Sequence, residues 1–439
     1  MDLKKYRKDF PSLNQKRNNK PPVYFDNACM TLKPVQVIEA MNEYYYKYPA
    51  CGERSLHWFA RRVNEGVGRA RESIRKLINA KHVEEIIFTK NATEAINMIA
   101  QSIKWNPDDV VVTTDKEHNS NLCPWQELQK RGVIKKHTVV PSNPDNTFSI
   151  ENLKRVVSKE GKSIRLFAFP QISNLDGAEI NEKTIKEIVS IVKKNNPNAF
   201  VLVDGAQSVP HKKVDVKELG VDFLAFSVHK MVGPTGVGVL YGKKEILENE
   251  DVMSPFIVGG GTVEDAHLFE HPKYFKPPLK YEAGLQNYAG IIGAGAAAEY
   301  LLSVGLSNIE RHEKELQMYI SQKLESFPEI EIIGPPSEKR TGIITFFIKK
   351  PVTRLSDDEP DIDEKLNEYS NIMIRKGTFC VHSWYHAHED YFDSIWPGFR
   401  PTLYRVSLYL YNTKEEAEIF IKTLRKILDE LKEVPILGE

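Results

Sequence analysis

Two side chains of complementary chemistry stand at the ends of short apolar runs. Asp204 closes the run FVLV at 200–203, and Lys230 follows the run FLAF at 223–226 after Ser227, Val228 and His229. Short, wholly apolar runs of this kind read as strands buried on both faces. In open α/β sheets, ligands bind beyond the carboxyl ends of such strands. A lysine placed there and partly stripped of water can lose its proton and form a Schiff base with a carbonyl compound. A carboxylate nearby can keep a pyridinium nitrogen protonated, which turns a pyridoxal ring into an electron sink. Taken singly, the two residues would be a surface lysine and a turn-capping aspartate. Gln207 after the first, Ser227 and His229 before the second, and the Gly-rich turn GPTGVG after it favour a built site. Those glycines imitate a dinucleotide fingerprint, but they follow the lysine and precede a strand, which argues against a Rossmann site.

The surrounding pattern supplies the elements that must hold these residues. Helical spacing of apolar residues marks 35–48 and 59–80. From residue 85 onward strands and helices alternate: a strand at 86–89, a helix starting near Thr93, a strand at 110–113, a helix from Pro124, then 164–169, 185–193 and 200–203. Such alternation predicts a mostly parallel sheet with right-handed crossovers. The Gly/Ala-rich segment 290–300 opens a long helix suited to bridging two domains. Beyond it, 342–348, 362–369, 372–375, 404–410 and the helix 414–431 read as a smaller α+β domain. The acidic patch 357–361 reads as a solvated loop. The expected division is an arm, 1–22, packing on the small domain, a large α/β domain, 23–290, and a small α+β domain, 291–439.

The motifs DGAQ and SxHKxxGPTGxG, in that order, resemble the core of class V aminotransferase-type pyridoxal-phosphate enzymes, in particular the cysteine desulfurase and selenocysteine lyase branch. The resemblance runs from about Val23 to about Asn412 and implies the fold type I architecture, with Lys230 carrying pyridoxal 5'-phosphate and Asp204 facing its ring nitrogen. Thr93 and Ala92, between a strand and a helix, lie where free backbone N–H groups and the helix dipole favour a phosphate, and the family binds its phosphate there. Ser227 and His229 match further residues on the phosphate side. His118, in the EHxxN-like stretch 117–121, matches a histidine that stacks on the ring and shuttles protons. Asn174 and Gln207 match residues near the ring's phenolic oxygen, Asn174 also lying near the substrate carboxylate. Arg405 matches the arginine that grips that carboxylate, a task suited to a bidentate guanidinium.

Cys380 lies in RKGTFC (375–380), which resembles the RxGxxC loop of the second class of desulfurases. Cations around it would favour a thiolate, the nucleophilic form. The competing readings are a buried structural thiol and a metal site made with His382, His386 and His388, whose spacing matches no familiar zinc pattern. Three departures stand out. Phe379 occupies the place where the family carries histidine. Leu285 stands where many members have a threonine that reaches the phosphate of the neighbouring subunit, with Gln286 the nearest possible substitute. The stretch between Cys380 and Arg405 is longer than the resemblance implies and holds Trp384, Tyr385, Tyr391, Phe392 and Trp396.

Composition narrows the class further. At 439 residues the chain suits two domains. With 41% hydrophobic and 27% charged residues it belongs among globular chains rather than disordered ones. Lys+Arg and Asp+Glu both number 60, so no basic excess recommends nucleic acid or an anionic membrane as a partner. The N-terminal MDLKKYRKDF lacks the apolar core of a signal peptide, and no run of about eighteen apolar residues appears. Four cysteines in this length make no disulfide framework and suit a cytoplasmic protein. The expectation is a homodimeric cysteine desulfurase that converts L-cysteine to L-alanine and leaves a persulfide on Cys380. A sulfur-acceptor protein would take that sulfur, for example for iron–sulfur cluster assembly. No metal is implied. The alternatives are a selenocysteine lyase acting on L-selenocysteine, an epimerase, a kynureninase-like hydrolase and a non-catalytic scaffold relative.

Overall fold

The computed structural model describes residues 3–53, 55–349, 361–395, 397–398 and 400–432. Its centre is a seven-stranded sheet made of β1 (Ile86–Thr89), β2 (Val110–Thr114), β3 (Lys136–Val140), β4 (Ile164–Pro170), β5 (Phe200–Asp204), β6 (Phe223–Ser227) and β7 (Gly238–Gly242). They lie side by side in the order β1-β7-β6-β5-β4-β2-β3. β7 runs antiparallel to β1 and β6, and the remaining pairs are parallel. The apolar runs of the sequence follow from burial on both faces. Val201 and Val203 enter one core cluster with Leu224 and Phe226, while Phe200 and Leu202 enter another with Phe223 and Ala225. Asp204, the last residue of β5, lies level with Pro170 on β4 and Ala225 on β6. Its carboxylate therefore stands at the carboxyl edge of the sheet.

Helices Val35–Lys47 and Trp58–Leu77 pack on Tyr288–Val304. The last of these is built from small residues because the approach is close: a Cβ on Gly295 would sit 2.6 Å from the Cα of Ala70. The single long bridging helix expected from 290 onward is two helices, Tyr288–Val304 and Leu306–Glu325, bent by 72°. Gly305 at the break has φ +86°, a conformation in which a residue with a Cβ is strained.

A second, antiparallel sheet holds β8 (Ile330–Ile333), β9 (Ile343–Ile348), β10 (Arg375–Lys376) and β11 (Tyr404–Ser407), in the order β8-β9-β11-β10. Helices Leu306–Glu325, Ile362–Ser370 and Lys414–Lys432 cover one face of it, through Leu316, Leu366, Phe420 and their neighbours. The aromatic stretch after Cys380 folds as two short helices, His382–Ala387 and Glu389–Ile395. Their Trp384 and Phe392 form a small core with Leu175, Phe347, Phe379 and Leu403; Trp396 lies outside the described residues.

The N-terminal arm is tied down along its length. Phe10 is fully buried, edge-on to Tyr411 at 4.6 Å and to Tyr300 at 5.9 Å. Arg7 pairs with Glu416 at 2.6 Å, and Asn371 donates to the Lys20 carbonyl at 3.1 Å. Of the acidic patch, 357–360 lies outside the described residues. Asp361 is half-buried rather than solvated: it caps the Ile362–Ser370 helix and pairs with Lys376 at 3.2 Å.

Candidate active site

Every residue expected to hold the cofactor or the substrate, together with Cys380, lines one cavity of about 260 Å³ at the carboxyl edge of the central sheet. The chain reaches it from five directions. β5 and β6 deliver Asp204, Gln207, Ser227, His229 and Lys230 from the floor. The start of the Ala92–Ser102 helix delivers Ala92 and Thr93, the loop after β2 delivers His118, the loop after β4 delivers Asn174, and the smaller sheet delivers Cys380 and Arg405.

Lys230 ends the short turn Val228–Lys230 that follows β6. Burial lowers the pKa of its amine; Asp204 opposes that shift and Arg405 adds to it. The backbone here is unusual. Val232 has φ +57°, rare for a β-branched residue, and its N–H is held by the Thr31 hydroxyl at 2.8 Å. Asp204 is buried, accepts the Ala206 N–H at 2.9 Å, and has its pKa raised by burial while Lys230 pulls it back. Each group therefore tempers the other's shift, and both stay available for a ligand that carries charge.

The residues expected on the phosphate side all line the cavity, three of them near its helix N-terminus. Ser227 accepts the Ala92 N–H at 2.8 Å, and the Thr93 hydroxyl lies 2.7 Å from that of Ser120. His118 accepts the Ser120 N–H on Nδ1 at 3.1 Å. Burial, then Lys230, Arg405 and His382, depress the His118 pKa to about 4, so its imidazole is neutral at ordinary pH. His229 is likewise held at about 4, by burial first and then Lys230 and Lys33.

At the opposite wall, Arg405 is buried with its guanidinium 4.6 Å from the centre of the Phe379 ring. It donates to the Asn174 carbonyl at 2.9 Å and lies 3.7 Å from Asp26. Burial lowers its pKa to about 10, against the pull of Asp26. Arg375, expected to bring positive charge to Cys380, lies 3.6 Å from Asp26 as well. Asp26 thus couples two arginines, a role no local feature of the sequence signals.

Cys380 is exposed at the cavity rim, on a turn where Phe379 (φ +53°) and Cys380 (φ +61°) are both left-handed. Cys29 lines the same cavity. The three histidines that could have joined Cys380 in a metal site are engaged separately. His382 meets Asn119 at 3.0 Å, His386 meets Glu389 at 2.8 Å, and His388 meets the Trp384 carbonyl at 2.8 Å. Gln286 does not reach this cavity; its amide donates to the Ala283 carbonyl at 3.0 Å, and with Leu285 it lines a separate cavity of about 400 Å³.

The donor set fits pyridoxal phosphate. An amine and a carboxylate stand at adjacent strand ends, and hydroxyls gather at the N-terminus of an 11-residue helix. Two buried polar atoms of the wall, Gln207 Oε1 and Arg405 Nε, have no protein partner among the described residues, as expected of a cavity shaped for a polar guest.

Comparison with known proteins gives the same class. The family model for aminotransferase class-V matches residues 23–420, and the chain belongs to that family, whose members depend on pyridoxal phosphate. A probable cysteine desulfurase of Halalkalibacterium halodurans is 38% identical over 429 residues, covering 97% of this chain and 98% of that one. One from Staphylococcus epidermidis is 35% identical over 430 residues, covering 97% and 96%. Among solved structures, the apo cysteine desulfurase of Thermococcus onnurineus superposes with a TM-score of 0.83 at 32% identity, covering 97% of this chain and 98% of that one. The cysteine desulfurase CsdA of Escherichia coli, in an S-sulfonic acid form, also gives 0.83, at 29% identity with coverage of 98% and 99%.

Proposed function

We propose that this chain is a cysteine desulfurase: it removes sulfur from L-cysteine, releases L-alanine and retains the sulfur as a persulfide on Cys380. The observation that carries the reading is the meeting of a buried lysine, a buried aspartate, a buried arginine and a thiol around one cavity. When bound, pyridoxal phosphate supplies an aldehyde that an amine can hold and a ring that accepts electrons from Cα. Lys230 holds the cofactor and, as a base of lowered pKa, moves the proton at Cα. Asp204 keeps the ring nitrogen charged. Arg405 grips the substrate carboxylate beside Asn174, and neutral His118 can accept or return a proton. Ala92, Thr93, Ser227 and His229 cradle the phosphate, with Gln207 at the phenolic oxygen. Cys380 Sγ attacks the substrate sulfur, so that an S–S bond forms, the Cβ–S bond breaks, and Cβ keeps the electron pair and gains a proton.

The same reading divides the chain into an arm, 1–22, a large domain, 23–290, and a small domain, 291–439. It makes the enzyme a homodimer, since Tyr46, Leu56, Leu268 and Phe269 are all more than three-quarters exposed. A sulfur-acceptor protein would take the persulfide from the exposed Cys380. Among the described residues no single helix is long and apolar enough to cross a membrane, and four free cysteines fit a reducing cytoplasmic setting. The test is the absorbance spectrum of purified protein with and without L-cysteine, paired with an alanine assay. A yellow protein whose band changes with cysteine while alanine appears supports the reading. A spectrum indifferent to cysteine overturns it, and a response to L-selenocysteine alone favours the lyase.

A further inference from the structure

Two consecutive residues with a Cβ in the left-handed region are unfavourable, because each brings Cβ against a neighbouring carbonyl. Phe379 and Cys380 are such a pair, and the turn that carries the thiol persists because other parts of the chain hold it. Two asparagines on the large-domain side do so through its carbonyls. Asn174 Nδ2 donates to the Phe379 carbonyl at 2.8 Å, and the backbone N–H of Asn119 donates to the Cys380 carbonyl at 2.8 Å. Asn119 makes a second tie, from its side-chain amide to His382 Nδ1 at 3.0 Å, two residues beyond the thiol.

We propose that Asn119 is a positioning residue for the nucleophile, locking the Cys380 turn to the loop that carries His118. The proposal rests on the reading of Cys380 as sulfur acceptor. Asn119 is suited to the task by its place. It opens the short 3₁₀ turn Asn119–Asn121, whose first N–H groups have no partner within the turn, so its backbone donor is free to reach across. It also directly follows His118, so one residue fixes the spacing between a proton carrier and the attacking thiol. Sulfur transfer needs Cys380 Sγ aligned with the Cβ–S bond of the substrate, and a displacement of about 1 Å can cost on the order of 100-fold in rate.

The backbone bond can be removed cleanly. Proline is tolerated at the first position of a helical turn, and His118, with φ −58° and ψ 144°, already has the extended conformation required before proline. Asn119→Pro removes both ties, whereas Asn119→Ala removes the side-chain tie alone. In the full-length holoenzyme, Asn119→Pro is expected to lower kcat for alanine formation about 10- to 100-fold with KM nearly unchanged, and Asn119→Ala about 5-fold. Asn119→Pro should also change the rate at which iodoacetamide labels the Cys380 peptide. In a Cys380→Ala background, where alanine formation is already lost, it should leave unchanged the rate of the absorbance change that L-cysteine brings about. Wild-type kcat and labelling in Asn119→Pro would overturn the proposal, as would a slowed absorbance change in the Cys380→Ala background, which would put the effect on His118. If the proline variant does not fold, the cycle of Asn119→Ala and His382→Ala decides: non-additive losses in kcat support the tie and additive ones refute it. Full activity of Cys380→Ala itself would sink the reading of the thiol, while iodoacetamide labelling would still report whether Asn119 holds the turn.

Discussion

At one end of the cavity, Asp204 and Lys230 stand on or just beyond adjacent central strands, with their places set by two-sided burial of β5 and β6. At the other end, Cys380 stands on an exposed left-handed turn of the smaller sheet, held by contacts from residues far away in sequence. The first end is encoded locally: the apolar runs that make those strands end at the carboxylate and lead into the amine. The second is encoded by tertiary contacts, which leave no local pattern around the thiol. Phe379 anchors the turn, packing in the apolar cluster of Trp384 and Phe392 with the Arg405 guanidinium over its ring.

Substitutions at the strand end should be the most severe. Lys230→Ala is expected to lower turnover of L-cysteine by about 1000-fold or more. Borohydride should fix a pyridoxyl mass on the peptide holding Lys230 in the native enzyme, and labelling of another lysine would refute the placement. Asp204→Asn should keep the cofactor bound yet lose roughly 100- to 1000-fold in alanine release, because the charge that stabilises the carbanion-like state is gone. Near-normal turnover would show that this carboxylate does not face the ring. At Arg405, across the cavity, the effect should be smaller and fall on binding. Arg405→Lys gives up a bidentate partner worth about 1.5–3 kcal/mol, so KM for L-cysteine should rise roughly 10- to 100-fold with less change in kcat. A mainly kcat effect would mean that Arg405 acts in the chemistry instead.

The smallest effect is a titration. His118, depressed to about 4 from an ordinary 6.5, should stay neutral in the apoprotein until the pH falls well below 6. The unfolded chain binds that proton at higher pH than the folded one. The site's contribution to stability is therefore intact above about 6.5 and is lost as the pH falls towards 4. A histidine NMR titration of apoprotein with a midpoint near 6.5 for His118 would contradict its burial.

The same contrast governs what could be read from the sequence. The strand-end half was legible because burial on both faces writes itself as an uninterrupted apolar run, and the strand bounds agree to within a residue at β1, β2, β4, β5 and β6. The edge strand β3 escaped notice because, of its residues, only Val140 is buried. The bend falls at Gly305, flanked by Ser303, Ser307 and Asn308, a glycine stop signal that a single long helix does not take into account. The pairing of Asp26 with Arg405, and of Asn119 with Cys380, leaves no periodicity, since each joins segments hundreds of residues apart. Leu285 shows the limit of substitution by neighbour: Gln286 follows it, but its amide is spent on the carbonyls of its own loop.

The central claim is that the two ends meet in one reaction, with sulfur leaving a substrate held at the Lys230 end and arriving at Cys380. Peptide mass spectrometry of the holoenzyme after a brief exposure to L-cysteine, without reductant, tests it directly. One added sulfur on the peptide containing Cys380, absent from Lys230→Ala, is the expected result. Sulfur carried instead on Cys29, or none on any cysteine while alanine is formed, would contradict it.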